Sequence, residues 1–292
     1  MKDKIVIKSR DGTELAVSRF LPQVSNYTVV IIAPALGRRQ KYYSRLASFF
    51  CKKGYVVFTF DYRGVGRSKK QAAHRKNVSL YQWASIDLDT VILSAKNQFP
   101  GHELVGLAHG VSGEVVGLAP AIPFFSRLVL ADAALSSWAL ANRQGRLRLL
   151  MAYFRKVACR WLPGVSSCLI SNIPIGVFRE WLSWSRYPNG LFHYYPNTNY
   201  QKLQAPILSI HFSEVPLSGP RAAAALLEQF ANAQCSEWHL PASGQSFKTG
   251  RRQCLYKKRF KKVLWEQLAM WMQGEDTFQQ SGKHLLEIGG NQ

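Results

Sequence analysis

The sequence predicts an α/β fold in which a mostly parallel β-sheet is covered by helices on both faces. Short apolar runs alternate with segments of helical periodicity through most of the chain. The runs TVVIIAP at 28–34 and VVFTF at 56–60 are continuously apolar, which is typical of strands buried on both faces. With 292 residues, 47% of them hydrophobic, the chain is long enough for one large core.

Each element of this pattern has its own signal. Strands at 4–9 and 14–20 flank Asp11-Gly12, a strong hairpin turn signal. Helical periodicity follows at 42–53, and Gly54 ends it before the strand at 56–60. The remaining predicted elements are helix 80–99, strand 103–108, a helix from about 113 to 118, strand 127–133, strand 207–212, helix 220–231, strand 235–240 and helix 263–272.

The alternation stops between residues 138 and 200. This stretch is rich in Trp, Tyr, Phe and Arg and shows no strand pattern, so we interpret it as a helical insertion that forms a lid. The α/β core is then expected to comprise residues 1–137 and 201–272. Residues 273–292 are polar and are predicted to form a flexible C-terminal tail.

Five segments occur in an order that points to one superfamily. They are DGTELAVSRF at 11–20, GYVVFTFDYRGVGRS at 54–68, QFPG at 98–101, GEVVGLAP at 113–120 and QAPILSI at 204–210. They resemble the α/β-hydrolase superfamily, in particular a bacterial group of serine-hydrolase relatives that includes esterases and serine aminopeptidases. The resemblance implies an α/β-hydrolase fold, with an eight-stranded, mostly parallel sheet, flanking helices and a helical lid insertion.

The position of the nucleophile departs from the family motif. Hydrolases of this fold carry Ser in G-x-S-x-G, at a sharp turn between a strand and a helix. Matching without gaps from 98–101 through 117–120 lays this motif on AHGVSGE at 108–114. The nucleophile then becomes Gly110, and without a hydroxyl at that position the acyl-enzyme route is closed.

A second alignment of the G-x-S-x-G motif remains as an alternative. Residues 110–114 also read G-x-S-x-E, which would make Ser112 the nucleophile. This alignment needs a shift of two residues and puts the bulky Glu114 where the turn needs glycine. The structural alternative for Ser112 is a capping role in the first turn of the helix.

The base and the acid of the family's triad are altered as well. The loop at 241–260, which follows the last strand, contains no histidine, and the match puts Arg251 and Arg252 where the family has Gly-His. Arginine stays protonated and cannot accept a proton. Glu214 or Val215 stands where the family has Asp, and Glu214 as an acid would have no histidine to orient.

Other features of the family site point to binding. The loop APALGRR at 33–39 retains Gly37, so Leu36, Gly37 and Val111 could contribute to an oxyanion hole through backbone N–H groups. An ordinary turn between strand and helix is the alternative. If Arg38, Arg39, Arg251 and Arg252 converge at the mouth of the pocket, they would bind an anion.

The net charge of +21 favours polyanionic partners, although a solvated basic surface explains it equally. Residues 146–161 resemble a basic amphipathic helix of the kind that lies on anionic membranes. The alternative is a lid helix whose apolar face covers the pocket. Nucleic-acid binding is not expected, because no recognised motif is present.

The five cysteines show no CxxC spacing, so we expect neither a disulfide framework nor a metal site, and a cytoplasmic location is the simplest interpretation. No cofactor is expected. The main hypothesis is a non-catalytic pseudo-hydrolase that binds a small acyl or anionic ligand. The alternatives are a serine hydrolase rebuilt around Ser112 and a basic protein peripheral to the membrane.

Overall fold

The computed structural model describes residues 1–69, 78–141, 143, 145–147, 149–151, 173–212, 219–240 and 264–275. Eight strands form one sheet in the order β1-β2-β4-β3-β5-β6-β7-β8. The strands are β1 (Lys2–Lys8), β2 (Glu14–Phe20), β3 (Thr28–Ala33), β4 (Val56–Phe60), β5 (Glu103–His109), β6 (Phe125–Ala131), β7 (Ile207–Phe212) and β8 (Cys235–Leu240).

Strand β2 runs antiparallel to both of its neighbours, β1 and β4, and every other pair in the sheet is parallel. All residues of β3 and β4 are buried, which explains their continuous apolar sequences. The predicted eight-stranded, mostly parallel sheet with flanking helices is therefore confirmed. The Asp11-Gly12 turn joins β1 and β2 as expected, with Gly12 at φ 82°.

Helices cover both faces of the sheet. They are α1 (Ser44–Lys52), α2 (Leu80–Gln82), α3 (Asp89–Gln98), α4 (Val111–Val115), α5 (Ile175–Trp184), α6 (Pro220–Leu227) and α7 (Glu266–Met272). One core layer joins α1 and α7 to the sheet, through residues that include Phe50 and Leu268. The layer on the opposite face includes residues of α3, α4 and α5. None of the described helices has the length and apolar character needed to span a membrane.

Several predicted boundaries differ from the observed ones. The predicted helix at 80–99 is interrupted by a π-helical turn, Trp83–Leu88, between α2 and α3. Strand β6 ends at Ala131 and not at 133, because Asp132 turns the chain with φ 50°. Helix α4 begins at Val111, two residues before the prediction, and α6 ends at Leu227.

The insertion at 138–200 contains α5 and short 3₁₀ turns at Gly190–His193 and Tyr200–Lys202. The described residues among 143–151 are helical, and no strand occurs among the described residues of the insertion. Residues 173 and 174 of the insertion lie against the loops that follow β3 and β4. A Cβ atom on Gly37 would lie 3.2 Å from Ile173, and one on Gly64 would lie 2.9 Å from Pro174.

Candidate functional site

The turn between β5 and α4 is sharp and is centred on Gly110. This residue has φ 58° and ψ −123°, and its N–H donates to the carbonyl oxygen of Ala131 at 2.8 Å. A residue with a Cβ atom adopts such a conformation only at a cost of about 1–3 kcal/mol, whereas glycine adopts it freely. The backbone therefore has the conformation of a nucleophile elbow, with a residue at its apex that carries no functional group.

Packing alone does not demand glycine at the apex. A Cβ atom on Gly110 would meet only the Cβ of Ala35, at the ordinary contact distance of 3.5 Å. Gly113 differs, because a Cβ there would lie 2.5 Å from the Cβ of Ala133 and would prevent the close approach of α4 to the end of β6. Among the described residues, Ala35 is thus the only one that a Cβ at position 110 would contact.

Ser112 lies inside α4 and faces the interior. Its side chain is 2% exposed, and its Oγ donates to the carbonyl oxygen of Pro34 at 2.6 Å. The same Oγ lies 3.0 Å from the hydroxyl of Tyr62. Because the serine proton is used for Pro34, Tyr62 is the donor in the second bond. Burial raises the pKa of Tyr62, so the phenol stays neutral and provides no base.

The predicted oxyanion loop forms a tight turn. The N–H of Arg38 donates to the carbonyl oxygen of Ala35 at 2.9 Å, and Gly37 has φ 75°. This is the arrangement of a type II turn, which requires a residue with positive φ at its third position. Within the described residues, neither the N–H of Leu36 nor that of Val111 has a hydrogen-bond acceptor. Both residues are half-buried, as is Gly110.

His109 precedes the turn and contacts a tyrosine of the first 3₁₀ turn after β3. Its Nδ1 lies 3.0 Å from the Tyr43 hydroxyl, which also accepts the N–H of Ala35 at 2.8 Å. These bonds connect the end of β5 to the loop after β3. Tyr43 is fully buried, so this bridge is a structural feature of the site. It holds the segments that carry Leu36 and Val111 in fixed relation.

Of the arginines predicted to bind an anion, the structure describes Arg38 and Arg39. Both are exposed, and the guanidinium of Arg38 lies over the ring of Tyr42, 4.6 Å from its centroid. The two residues directly follow the turn at Gly37. Arg251, Arg252, Glu214 and Val215 lie outside the described residues, as do most of residues 146–161 and most of the predicted tail at 273–292.

A serine, a histidine and a glutamate do come together elsewhere, on β7 and β8. Ser209 Oγ lies 2.7 Å from His211 Nε2, and Glu237 Oε2 lies 3.6 Å from the same nitrogen. In a triad the acid and the serine bind opposite ring nitrogens. Here both contact Nε2, Ser209 is 1% exposed, and burial lowers the pKa of His211. This group does not have triad geometry.

Glu114 is a fully buried carboxyl group that the sequence did not single out as a structural partner. Its two carboxyl oxygens accept from the N–H of Ser136 at 2.7 Å and from its hydroxyl at 2.6 Å. Trp181 on α5 donates to the same hydroxyl at 2.9 Å. Burial raises the pKa of Glu114 to about 7, although the bonds from Ser136 lower it. The network connects α4 to the insertion.

The loop DYRGVGRS at 61–68 supports the site through buried polar contacts. The carboxyl group of Asp61 accepts from the N–H of Gln40 at 2.8 Å and from the N–H of Arg67 at 3.0 Å. A Cβ on Gly66 would lie 2.4 Å from Asp61, so this turn requires glycine. Arg63 pairs with Asp87 at 2.6 Å. The contacts of this motif therefore hold the loop after β4 in place.

The sequence profile of a family described as "Serine aminopeptidase, S33" matches residues 25–171, which is half of the chain. The match covers β3 to β6, the turn at Gly110 and the loop after β3.

Solved structures extend the similarity to nearly the whole chain. A thermostable carboxyl esterase from Bacillus coagulans superposes with a TM-score of 0.66 at 12% identity, covering 94% of this chain and 98% of the esterase. A soluble variant of monoglyceride lipase from Saccharomyces cerevisiae gives a TM-score of 0.65 at 13% identity, covering 95% and 96% of the two chains. An esterase from Exiguobacterium antarcticum gives 0.58 at 16% identity, with 93% and 100% covered. At these identities the likeness concerns the fold.

Proposed function

Because the chain belongs to the serine aminopeptidase S33 family of α/β hydrolases, we propose that it keeps the family's site as a binding site and has lost triad hydrolysis. The single observation that carries the proposal is the conformation of Gly110. The turn has the backbone of a nucleophile elbow, yet its apex bears no hydroxyl. A hydrolase that works through an acyl-enzyme needs a nucleophile at the atom where the turn presents it.

The sequence supports the same interpretation at the position of the catalytic base. The match to the family puts Arg252 where a histidine would accept the proton of the nucleophile. A guanidinium stays protonated at any physiological pH and only donates hydrogen bonds. A guanidinium at this position of the family site would attract a carboxylate. Because two positions of the triad are changed, loss of hydrolysis explains the sequence better than one tolerated substitution does.

The ligand we propose is a small acyl or anionic molecule that carries a carboxylate or a carbonyl group. Leu36 and Val111 are half-buried residues whose N–H groups have no acceptor among the described residues, so these groups can donate to an oxygen atom of the ligand. Arg38 and Arg39 follow the same turn and supply positive charge close to it. Within the described part of the chain, a Cβ on Gly110 would contact only Ala35, so this point can accommodate the ligand.

The alternative, a hydrolase rebuilt around Ser112, has weaker support. The Ser112 proton is donated to Pro34, the residue is buried, and its other partner within the described part of the chain is a neutral tyrosine. A nucleophile needs access to substrate and a base within hydrogen-bond reach. If this alternative holds, the similarity to esterases and a lipase suggests that the substrate would be an ester or a related acyl compound.

Calorimetric titration with a series of linear carboxylates tests the binding proposal, and two variants of Gly110 form a matched pair. Gly110→Ala adds the backbone strain alone, whereas Gly110→Phe adds the same strain and a ring at the proposed ligand position. We expect the Phe variant to bind at least about tenfold more weakly than the Ala variant, because the ligand and the ring compete for one space. Equal affinities in the two variants, or no binding to the unmodified protein, would overturn the proposal.

A further inference from the structure

One face of the helical segment at 143–151 combines exposed apolar side chains with exposed arginines. Leu147, Leu150 and Met151 are 60%, 42% and 53% exposed. Arg143 and Arg146 are exposed as well. We propose that this face, which we call the docking face, binds the surface of an anionic lipid bilayer.

The helical spacing separates this face from the one that packs on the protein. Residues four apart lie on the same side of a helix, which groups Arg146 with Leu150 and Leu147 with Met151. Gly145 and Leu149, also four apart, are buried, and Leu149 is part of the main core layer. A lid whose apolar side chains all covered a pocket would leave a polar outer face. Here large apolar side chains point outward too.

The charge of the surrounding segment selects an anionic partner. Between Asp132 and Glu180 the sequence contains no acidic residue and seven basic ones, which are Arg143, Arg146, Arg148, Arg155, Lys156, Arg160 and Arg179. Within the described part of the chain, neither Arg143 nor Arg146 forms an ion pair. Their charge is therefore available to an external partner.

A lipid surface satisfies both halves of this face at once. Leucine and methionine side chains partition into the boundary between headgroups and acyl chains, while arginines contact anionic headgroups. Nucleic acid or an acidic protein loop would use the arginines but would leave the three apolar side chains in water. The combination consequently favours a bilayer over a purely polyanionic partner.

Vesicle sedimentation with the full chain tests the proposal. The protein is mixed with vesicles of phosphatidylcholine alone or of phosphatidylcholine with phosphatidylserine. We expect binding only to the anionic vesicles, weakened by salt. Arg143→Gln/Arg146→Gln should weaken binding about thirtyfold, since each basic residue near the surface contributes about a fivefold gain in affinity.

The matched control removes the same charge from a distant helix. Arg45 and Lys52 are exposed residues of α1, so Arg45→Gln/Lys52→Gln should leave binding almost unchanged. An equal loss in both double variants would mean that only net charge matters and would overturn the docking face. Leu147→Ser/Leu150→Ser/Met151→Ser should remove the part of the binding that resists high salt. Circular dichroism checks that each variant is folded.

Two further outcomes would also overturn the proposal. The first is the absence of any binding to anionic vesicles at low salt. The second is binding to a single-stranded oligonucleotide that depends on Arg143 and Arg146 but not on the three apolar residues, without binding to vesicles. That result would assign the arginines to a nucleic-acid partner. The carboxylate titration at Gly110 is independent of all these measurements.

Discussion

The hydroxyl of Ser112 donates a hydrogen bond of 2.6 Å to the carbonyl oxygen of Pro34, 78 residues earlier in the chain. This bond connects the helix that follows the elbow to the end of β3, and Tyr62 completes it from the loop after β4. Ser112, the one serine in the matched motif at 108–114, is therefore buried in the interior of the fold. Its environment is that of a structural residue.

The first prediction concerns the stability that this serine provides. Ser112→Ala should lower the free energy of unfolding by about 1–3 kcal/mol, because two buried polar groups lose their partner. Urea denaturation measures the effect. Ser48→Ala, at an exposed position of α1, is the control and should change stability by less than about 0.5 kcal/mol. Equal effects of the two substitutions would contradict the buried hydrogen bonds.

The second prediction is a pH dependence that arises from Glu114. Its pKa is raised to about 7 in the folded protein, from an ordinary value of 4.5. Between these values the folded state holds a proton that the unfolded state has released, so this contribution to stability is full below pH 4.5 and is lost as the pH rises to 7. The loss amounts to about 3 kcal/mol.

Glu114→Gln should remove this dependence, since an amide can accept from the Ser136 N–H and donate to its hydroxyl. We expect the variant to be more stable than the unmodified protein at pH 8 and similar to it at pH 4.5. Denaturation curves at the two pH values provide the comparison. A constant difference between the two proteins across this range would show that Glu114 does not titrate there.

The third prediction concerns the conformation of the elbow. Gly110→Ala should destabilise the fold by about 1–2 kcal/mol, since a Cβ atom is disfavoured at φ 58°. Gly219→Ala is a suitable control, because Gly219 has φ −60° and no atom of the described residues lies within 4 Å of its added Cβ. Thermal unfolding of both variants measures the two effects. If Gly110→Ala does not lower the stability of the fold, the turn does not disfavour a Cβ atom.

The fourth prediction concerns Arg63, which is buried between Asp87 and Asp11. Arg63→Met should cost about 3–5 kcal/mol, because it leaves the fully buried carboxylate of Asp87 unpaired. Arg19→Met removes the more exposed pair with Asp3 and should cost no more than about 1 kcal/mol. If Arg63→Met/Asp87→Leu is no more stable than Arg63→Met, the unpaired charge is not the cause.

The fold was predictable because its signals are local. The continuous apolar runs of β3 and β4 and the Asp11-Gly12 turn each specify one element, and their order restricts the topology. Boundaries were less accurate where one residue adopts an unusual conformation, as Asp132 does at φ 50°. The apex of the elbow at Gly110 followed from motif spacing.

The contacts around the candidate site could not be predicted in the same way. Glu114 accepts from Ser136, 22 residues further along the chain, and Ser136 accepts from Trp181, another 45 residues on. A residue pattern contains no information on such pairs. The exposure of Leu147 and Met151 depends on how the helix is rotated against the core. A sequence identifies this helix as amphipathic but does not say which of its faces points outward.

The most direct test of the central claim is labelling of the purified protein with a fluorophosphonate probe, together with a panel of ester substrates. Without a nucleophile at position 110, we predict no labelling above that of the heat-denatured protein and no turnover of any ester. Robust labelling that Ser112→Ala abolishes would contradict the claim and would show that the site has been rebuilt around Ser112.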